Sequence, residues 1–367
     1  MTAIVQLITE HKDRASSRPV FFNLAKISDE KSFKKLLKSG SVRVVDEYES
    51  QLREQFEIKN PPLVFSSDFD KQFSVYSERI EKRVPLYKQG RWVYFPWRGT
   101  VTHILEDTAF QEVRTARNKN LITAEEQKKF YNSTIGIAGL SVGNSIALAI
   151  VLQGGGRHLK LADHDTLGLS NLNRIRTSVD NLGLKKVDMT ARQIYEIDPY
   201  AKIEIFSEGL TKKNIKLFFQ DLDIVIDEID NLAMKYRIRE YAKKYSLPLI
   251  MAADNSDGSI VDIERYDIDK NTRFFENRFG PITLEQLEGL GKIETGEMIT
   301  KFIGYGNISK RMELSLVEIG KTLSSWPQLG GATFLNGASA SFLVRSIING
   351  SSVKGRSIVS FDKILRI

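Results

Sequence analysis

An acidic pair and an arginine lie close together near the middle of the sequence and could bind a nucleotide. Asp163 and Asp165 follow an apolar run, and Arg174 comes nine residues after Asp165. Asp163 also stands 20 residues after Gly143, the usual interval between a glycine turn and an acid that accepts hydrogen bonds from ribose hydroxyls. A guanidinium is suited to bidentate contact with phosphate oxygens. Together these residues predict a site for a nucleoside phosphate.

Two short apolar runs and a helix must position these side chains. Residues 135–140 and 158–162 have the length and composition of buried parallel strands. Residues 144–153 between them predict an apolar helix that stops at three consecutive glycines. Strand, turn, helix and strand in this order are typical of the front half of a nucleotide-binding βαβ unit, in which phosphate binds at the helix N-terminus.

The turn before this helix contains Gly139, Ser141 and Gly143. We expect Ser141 to act there as a hydrogen-bond donor rather than a nucleophile, because no His/Asp pairing is evident. The dinucleotide pattern Gly-x-Gly-x-x-Gly would require glycine where Ala138 and Leu140 stand. The turn is therefore a degenerate version of the dinucleotide fingerprint.

A second strand end carries another acid. Residues 223–227 predict a strand, and Asp230 and Asn231 come just beyond it. Ligands bind doubly wound sheets outside the carboxyl ends of the strands, so Asp230 should lie on the same edge as Asp163. A carboxylate there is a candidate ligand for the Mg²⁺ that accompanies a nucleoside triphosphate. Asp230 could also cap the helix predicted over residues 232–245, and the two roles can coexist.

The composition excludes several kinds of site. The chain of 367 residues contains no cysteine, which removes disulfides, cysteine zinc sites and any thiolate nucleophile. No apolar run reaches 18 residues, so no membrane span is expected. The N-terminus lacks the pattern of a secretory signal, so we expect a cytoplasmic location. The net charge of +7 favours anionic partners such as nucleotides or RNA, although a mildly basic surface without such a partner is the alternative.

Three segments resemble the ThiF/MoeB/E1-like adenylating superfamily, which comprises the activating enzymes of ubiquitin-like and sulfur-carrier proteins and their relatives. They are Asp-x-Asp-x(4)-Ser-Asn-Leu-x-Arg at residues 163–174, Gly-Leu-Lys-Lys at 183–186, and Asp-Glu-Ile-Asp-Asn at 227–231. They occur in the family's order, and the resemblance covers about residues 110–267. Within the superfamily the chain looks most like bacterial ThiF-type proteins of unassigned substrate.

The resemblance implies an α/β fold with a doubly wound, mostly parallel Rossmann-like sheet, an N-terminal α+β extension and a helical C-terminal region. It implies three parts: an N-terminal accessory domain (1–105), a ThiF/E1-like ATP-binding domain (106–267) and a C-terminal substrate or dimerisation region (268–367). The family uses ATP and Mg²⁺ to activate a carboxylate as an acyl-adenylate with release of pyrophosphate. Without cysteine, this chain can form no enzyme thioester.

The resemblance also implies partners and residue roles. The substrate carboxylate would belong to a ubiquitin-like or carrier protein, a peptide, a small molecule or an RNA-borne acid, and the protein would be a homodimer without zinc. Arg174 would clamp the phosphates, Lys186 (with Lys185 as its rival) would face the α-phosphate, and Arg117 would reach the ATP of the neighbouring subunit. The expected nucleotide-binding residues are Gly139, Ser141, Gly143, Asp163, Ser170, Asn171, Arg174, Lys186, Asp230 and Asn231.

Other assignments remain open from the sequence. Asn171 could contact phosphate or order its loop, Asp165 could bind a metal or cap a turn, and His164 has the features of a structural histidine. The chain could instead be an NAD(P)- or flavin-linked oxidoreductase on the same fold. A third possibility is a nucleotide-binding scaffold that has lost its chemistry.

Overall fold

The computed structural model describes residue 4 and residues 15–365 of the chain. It divides into two compact units, Met1–Leu121 and Ile122–Ile367. Among the described residues, no helix combines the length and the apolar character needed to cross a membrane.

The first unit is a four-stranded sheet with helices, in the strand order β1-β3-β4-β2. Strands β2 and β4 are parallel, and the other neighbours are antiparallel. The strands are β1 (Val20–Phe22), β2 (Arg43–Asp46), β3 (Arg91–Phe95) and β4 (Thr100–Ile104). The helices are α1 (Ile27–Lys38), α2 (Tyr48–Lys59), α3 (Phe69–Glu81) and α4 (Asp107–Arg114). This unit confirms the expected N-terminal α+β extension.

The first unit ends later than the boundary expected after residue 105. Helix α4 belongs to it because Phe110 and Val113 pack against the core cluster that contains Tyr48 and Leu52 of α2. The structural division therefore falls 16 residues further along the chain, after Leu121.

The second unit is built on a seven-stranded sheet in the order β11-β10-β9-β8-β5-β6-β7. The five strands from β9 to β7 are parallel, whereas β10 and β11 are antiparallel to their neighbours. The strands are β5 (Thr134–Ala138), β6 (His158–Ala162), β7 (Lys202–Phe206), β8 (Ile224–Asp227), β9 (Pro248–Asn255), β10 (Gly258–Arg265) and β11 (Gly355–Val359). The predicted doubly wound, mostly parallel sheet is confirmed.

The helices of the second unit lie between these strands and in the C-terminal region. They are α5 (Ala124–Asn132), α6 (Val142–Leu152), α7 (Lys186–Ile197), α8 (Ile215–Phe219), α9 (Leu232–Lys244), α10 (Leu284–Glu288), α11 (Lys292–Ile303), α12 (Lys310–Leu316), α13 (Gly330–Ile348) and α14 (Phe361–Leu365).

The order of strands places the switch point of the sheet at β5. The chain proceeds outward from β5 through β6 to β7 and then returns to β8 on the other side of β5. Ala138 is paired with Ala162 of β6 and with Asp227 of β8, so the three strands end level. Ligands of open α/β sheets bind at such a point, beyond the carboxyl ends of the strands.

The C-terminal region is mostly helical, as predicted. Helix α11 runs through residues 296–303 because Phe302 and Ile303 are buried in a core cluster with Phe275. In addition, the unpredicted strand β11 pairs with β10, so β10 lies inside the sheet and is buried along its whole length.

Candidate nucleotide site

The glycine turn joins β5 to α6 in close contact with the turn after β8. Gly139 has a φ of +88°, and a Cβ atom there would lie 2.3 Å from the carbonyl oxygen of Glu228. Glycine is therefore required at this position both by the backbone angle and by the space. At Gly143 a Cβ atom would lie 3.0 Å from Cγ2 of Ile137.

The first turn of α6 is not capped by the side chain that precedes it. Ser141 is the N-cap residue, but its side chain makes no capping hydrogen bond. Its hydroxyl instead accepts a hydrogen bond from Nε of Arg174 at 3.1 Å. The first N–H groups of a helix have no partner within the helix, so this arrangement offers them, together with the guanidinium, to an anion.

Asp163 ties the glycine turn to the end of β6. Its Oδ2 accepts from the backbone N–H of Leu140 at 2.7 Å, and its Oδ1 accepts from that of Asp165 at 2.8 Å. The residue is buried. Each carboxylate oxygen can still accept a second hydrogen bond, which is the capacity that a ribose-binding acid needs.

The loop that carries Arg174 is shaped by its own polar side chains. Oδ1 of Asn171 accepts from the N–H of Gly168 at 2.9 Å, so Asn171 orders the loop. Nη1 of Arg174 donates to the carbonyl of Ser170 at 3.2 Å and to Oδ1 of Asn173 at 3.0 Å. The structure thus brings Ser141, Ser170 and Arg174 together.

The two candidate lysines point to different neighbours. Lys186 is buried and its Nζ lies 2.8 Å from Oδ2 of Asp165. Nζ of Lys185 donates instead to the carbonyl of Ser207 at 2.9 Å and pairs with Glu208. Lys186 is therefore the lysine beside the acids that follow β6. Its hydrogen bond holds the pKa of Asp165 below the usual range, against the opposing effect of desolvation.

Asp163, His164 and Asp165 are close enough together to hold a metal ion. The pairing of Asp165 with Lys186 argues against that use, because the charged ammonium group repels a metal ion. His164 is exposed.

Asp230 and Asn231 lie in the exposed turn between β8 and α9. Asn231, rather than Asp230, is the N-cap of α9, since its Oδ1 accepts from the N–H of Met234 at 2.8 Å. The capping role considered for Asp230 is therefore wrong. Asp230 presents a carboxylate at the same sheet edge as Asp163, as the sequence predicted.

A network of buried charged side chains lies beside the turn between β8 and α9. Arg239 of α9 is fully buried and donates from Nη1 to Oδ2 of Asp227 at 2.7 Å and from Nε to Oε1 of Glu264 at 2.8 Å. The hydroxyl of Tyr266 donates to Glu264, and Lys235 lies 3.3 Å from Oδ1 of Asp227. Burial raises the pKa of Glu264, and the charge of Arg239 opposes that rise.

Two acids near the site had no role in the sequence analysis. Oε1 of Glu228 accepts from the N–H of Ala252 at 2.7 Å, and burial raises its pKa well above the usual range, against the charge of Lys235. Asp254, at the end of β9, is 6% exposed. Burial raises the pKa of Asp254 to about 6, against its hydrogen bonds and the charge of Arg174. The apolar run at residues 248–253, directly before Asp254, was the available signal in the sequence.

Arg117 belongs to the first unit. It is exposed and lies in a 3₁₀ turn, Ala116–Asn118. Helix α4 ends at Arg114, so Arg117 lies beyond the end of this helix. The role of Arg117 in a neighbouring subunit stays a prediction.

Comparison with known proteins agrees with the motifs. Residues 115–282 match the model of the ThiF family. The uncharacterized protein MT1398 of Mycobacterium tuberculosis is 35% identical over 290 residues, covering 78% of this chain and 40% of that protein. The tRNA threonylcarbamoyladenosine dehydratase of Bacillus subtilis is 31% identical over 163 residues, covering 42% of this chain and 64% of that protein. The chain thus spans less than two thirds of either relative.

Solved structures show more distant likenesses. The crystal structure of PaaA is 19% identical with a TM-score of 0.48, covering 69% of this chain and 77% of that one. The Escherichia coli tRNA N6-threonylcarbamoyladenosine dehydratase TcdA, solved with ATP, is 18% identical with a TM-score of 0.47, covering 65% of this chain and 94% of that one. The relation to the ThiF family rests on the sequence match over residues 115–282.

Proposed function

We propose that the chain is a cytoplasmic, ATP-dependent adenylyltransferase that activates a carboxylate as an acyl-adenylate. The observation that carries this proposal is the hydrogen bond between Arg174 and Ser141. It holds a guanidinium beside the uncapped start of α6, where two sources of positive potential can meet the phosphates of one nucleotide.

The reaction explains why the site needs cations. An oxygen of the substrate carboxylate bonds to the α-phosphorus of ATP, the bond from that phosphorus to the pyrophosphate oxygen breaks, and pyrophosphate leaves with the electron pair. Two anions must approach each other, so Arg174 and Lys186 stabilise the negative charge that accumulates. Asp163 accepts hydrogen bonds from the ribose.

Asp230, the acid that follows β8, is suited to bind Mg²⁺. Such ions usually keep several waters and bind one or two carboxylates plus the phosphates of the nucleotide. Asp230 offers an exposed carboxylate for this purpose, whereas Asp165 is paired with the ammonium group of Lys186. When bound, Mg²⁺ supplies charge neutralisation at the phosphates.

The acyl acceptor cannot be a thiol of this chain, because the chain has no cysteine. We propose direct transfer to a nucleophile of the substrate or of a partner. The relative from Bacillus subtilis is named for a modified nucleoside of tRNA, which makes an RNA-borne acid one candidate substrate. The other candidates are peptides, carrier or ubiquitin-like proteins and small molecules.

The first test is ligand-dependent thermal stability. We expect Mg²⁺–ATP to raise the melting temperature, since a ligand at 100 times its Kd adds about 2.7 kcal/mol of stability. Asp230→Ala should reduce the shift given by Mg²⁺–ATP because it removes the proposed metal ligand. Glu240→Ala, which removes an exposed carboxylate from α9, is the matched control and should keep the full shift.

The alternatives predict different results in the same measurement. Stabilisation by NAD⁺, NADP⁺ or a flavin instead of Mg²⁺–ATP would contradict adenylation and favour an oxidoreductase. Binding of ATP without carboxylate-dependent release of pyrophosphate, across a broad set of acids, would favour a scaffold.

We also propose that the protein is a homodimer and that the outer face of α13 contributes to its interface. Phe334 and Phe342 are 56% and 54% exposed, and they lie two turns apart on either side of the exposed Ala338. In such a dimer Arg117 of one protomer would reach the ATP phosphates bound by its partner.

The dimer is tested by light scattering coupled to size-exclusion chromatography. The wild-type protein should show twice the chain mass of 41.7 kDa. The double variant Phe334→Glu/Phe342→Glu should show the mass of a monomer, because charges cannot be buried without partners. A monomeric wild type across micromolar concentrations would contradict the proposal.

A further inference from the structure

The segment that leads into α13 lies directly on the loop that carries Arg174. Nδ2 of Asn173 donates to the carbonyl of Gln328 at 2.8 Å, and Oγ1 of Thr333 donates to the carbonyl of Arg174 at 3.0 Å. A Cβ atom on Gly330 would lie 2.6 Å from the carbonyl oxygen of Asn173. The close approach therefore depends on a glycine at position 330.

The same segment is attached to the sheet through a buried carboxylate. Oδ2 of Asp254 accepts from Nε2 of Gln328 at 3.0 Å, and Oδ1 accepts from Nδ2 of Asn336 at 2.7 Å. The hydroxyl of Ser259 on β10 donates to Oδ1 of Asn336, which fixes the orientation of that amide. Both oxygens of Asp254 thus hold donors from the C-terminal region.

These contacts form a continuous path from the sheet to the arginine. It runs from Asp254 to the side chain of Gln328, from the carbonyl of Gln328 to Asn173, and from Oδ1 of Asn173 to Nη1 of Arg174 at 3.0 Å. Arg174 then reaches Ser141 at the start of α6. Each step between residues is a hydrogen bond, so the path links the position of Gln328 to that of the guanidinium.

We propose that Gln328 and Asp254 are positioning residues that hold Arg174 in the geometry needed for the phosphates of ATP. This inference rests on the proposed adenylating function and extends it by making the C-terminal segment part of the nucleotide site. An arginine side chain has large conformational freedom, and catalytic electrostatics depend on donors that are already in place before the reaction. Neither residue needs to contact ATP for this role.

The test exchanges donor and acceptor in this pair. Gln328→Glu replaces the amide donor by a second carboxylate facing Asp254, and like charges at this distance repel each other. Adding Asp254→Asn to the same chain supplies an amide donor for Glu at position 328 and leaves an oxygen for Asn336. The double variant therefore restores the hydrogen bond with its direction reversed, which a double-mutant cycle can quantify.

The measured quantity is the Kd of Mg²⁺–ATP by isothermal titration calorimetry at pH 7.5, with the melting temperature of each variant. We expect Gln328→Glu to weaken ATP binding at least tenfold and the double variant to return within threefold of the wild type. The matched control is Gln220→Glu, which adds a charge at an exposed glutamine after α8 and should leave the Kd unchanged.

The outcomes separate the two proposals. An unchanged Kd in Gln328→Glu overturns the positioning role while leaving adenylation intact. A double variant that regains the wild-type melting temperature but not the wild-type Kd also overturns it, because the hydrogen bond would then serve stability alone. Failure of the wild-type protein to bind Mg²⁺–ATP overturns the proposed function and this inference with it.

Discussion

Arg174→Ala should lower kcat/KM for carboxylate-dependent release of pyrophosphate by about 10²–10³-fold, the usual cost of removing one preorganised donor from developing charge. The guanidinium is held by Ser141, Ser170 and Asn173, so its orientation is set before ATP arrives. Arg174→Lys keeps the charge but loses the planar fork of donors, and we expect it to recover only part of the activity.

The control for this variant lies two residues away. Arg176 belongs to the same loop and is exposed, so Arg176→Ala should leave turnover near the wild-type rate. Melting temperatures measured in parallel separate loss of chemistry from loss of folding. Turnover of Arg174→Ala at the wild-type rate would show that the phosphates bind elsewhere.

Arg239→Met should lower the free energy of unfolding of the second unit by about 3–5 kcal/mol, because removing one partner of a buried ion pair leaves uncompensated charge. Arg239 is fully buried and is the shared partner of Asp227 and Glu264. Its guanidinium also lies 3.9 Å from the ring centroid of Phe275, so the variant loses a cation–π contact as well.

The matched control is Arg237→Met on the same helix. Arg237 pairs with Glu288 near the surface, where the two side chains are 20% and 43% exposed. An exposed pair contributes about 0–1 kcal/mol, so this variant should unfold at nearly the wild-type urea concentration. Similar urea midpoints for the two variants would contradict the view that the network is a buried, interdependent unit.

The elements around the glycine turn could be predicted because their signals are local. The strand predicted at 158–162 has those bounds in the structure. Thr123 and Glu126 have the sequence pattern of a capping box, and both of its reciprocal hydrogen bonds are present, at 3.2 Å and 2.8 Å. An apolar run, a cap and a glycine can each be recognised without knowledge of the rest of the chain.

The missed features depend on contacts between distant parts of the chain. Strand β11 has a weak local pattern and exists because it pairs with β10, whose paired residues lie 92 to 100 positions earlier in the sequence. Gln328 and Asp254 are separated by 74 positions, so nothing in either local sequence indicated their contact. Asp163 and Arg174 were found because a family motif joins them within one short segment.

The attachment of β11 has a consequence for how the protein behaves in solution. Arg356 of β11 makes two contacts to the Asp262 carboxylate, at 2.7 Å and 2.6 Å, and donates to the carbonyls of Phe302 and Ile303. These contacts cover the edge of β10, a fully buried strand. Uncovered sheet edges recruit strands from other molecules, and by holding β11 in place Arg356 keeps β10 from being such an edge.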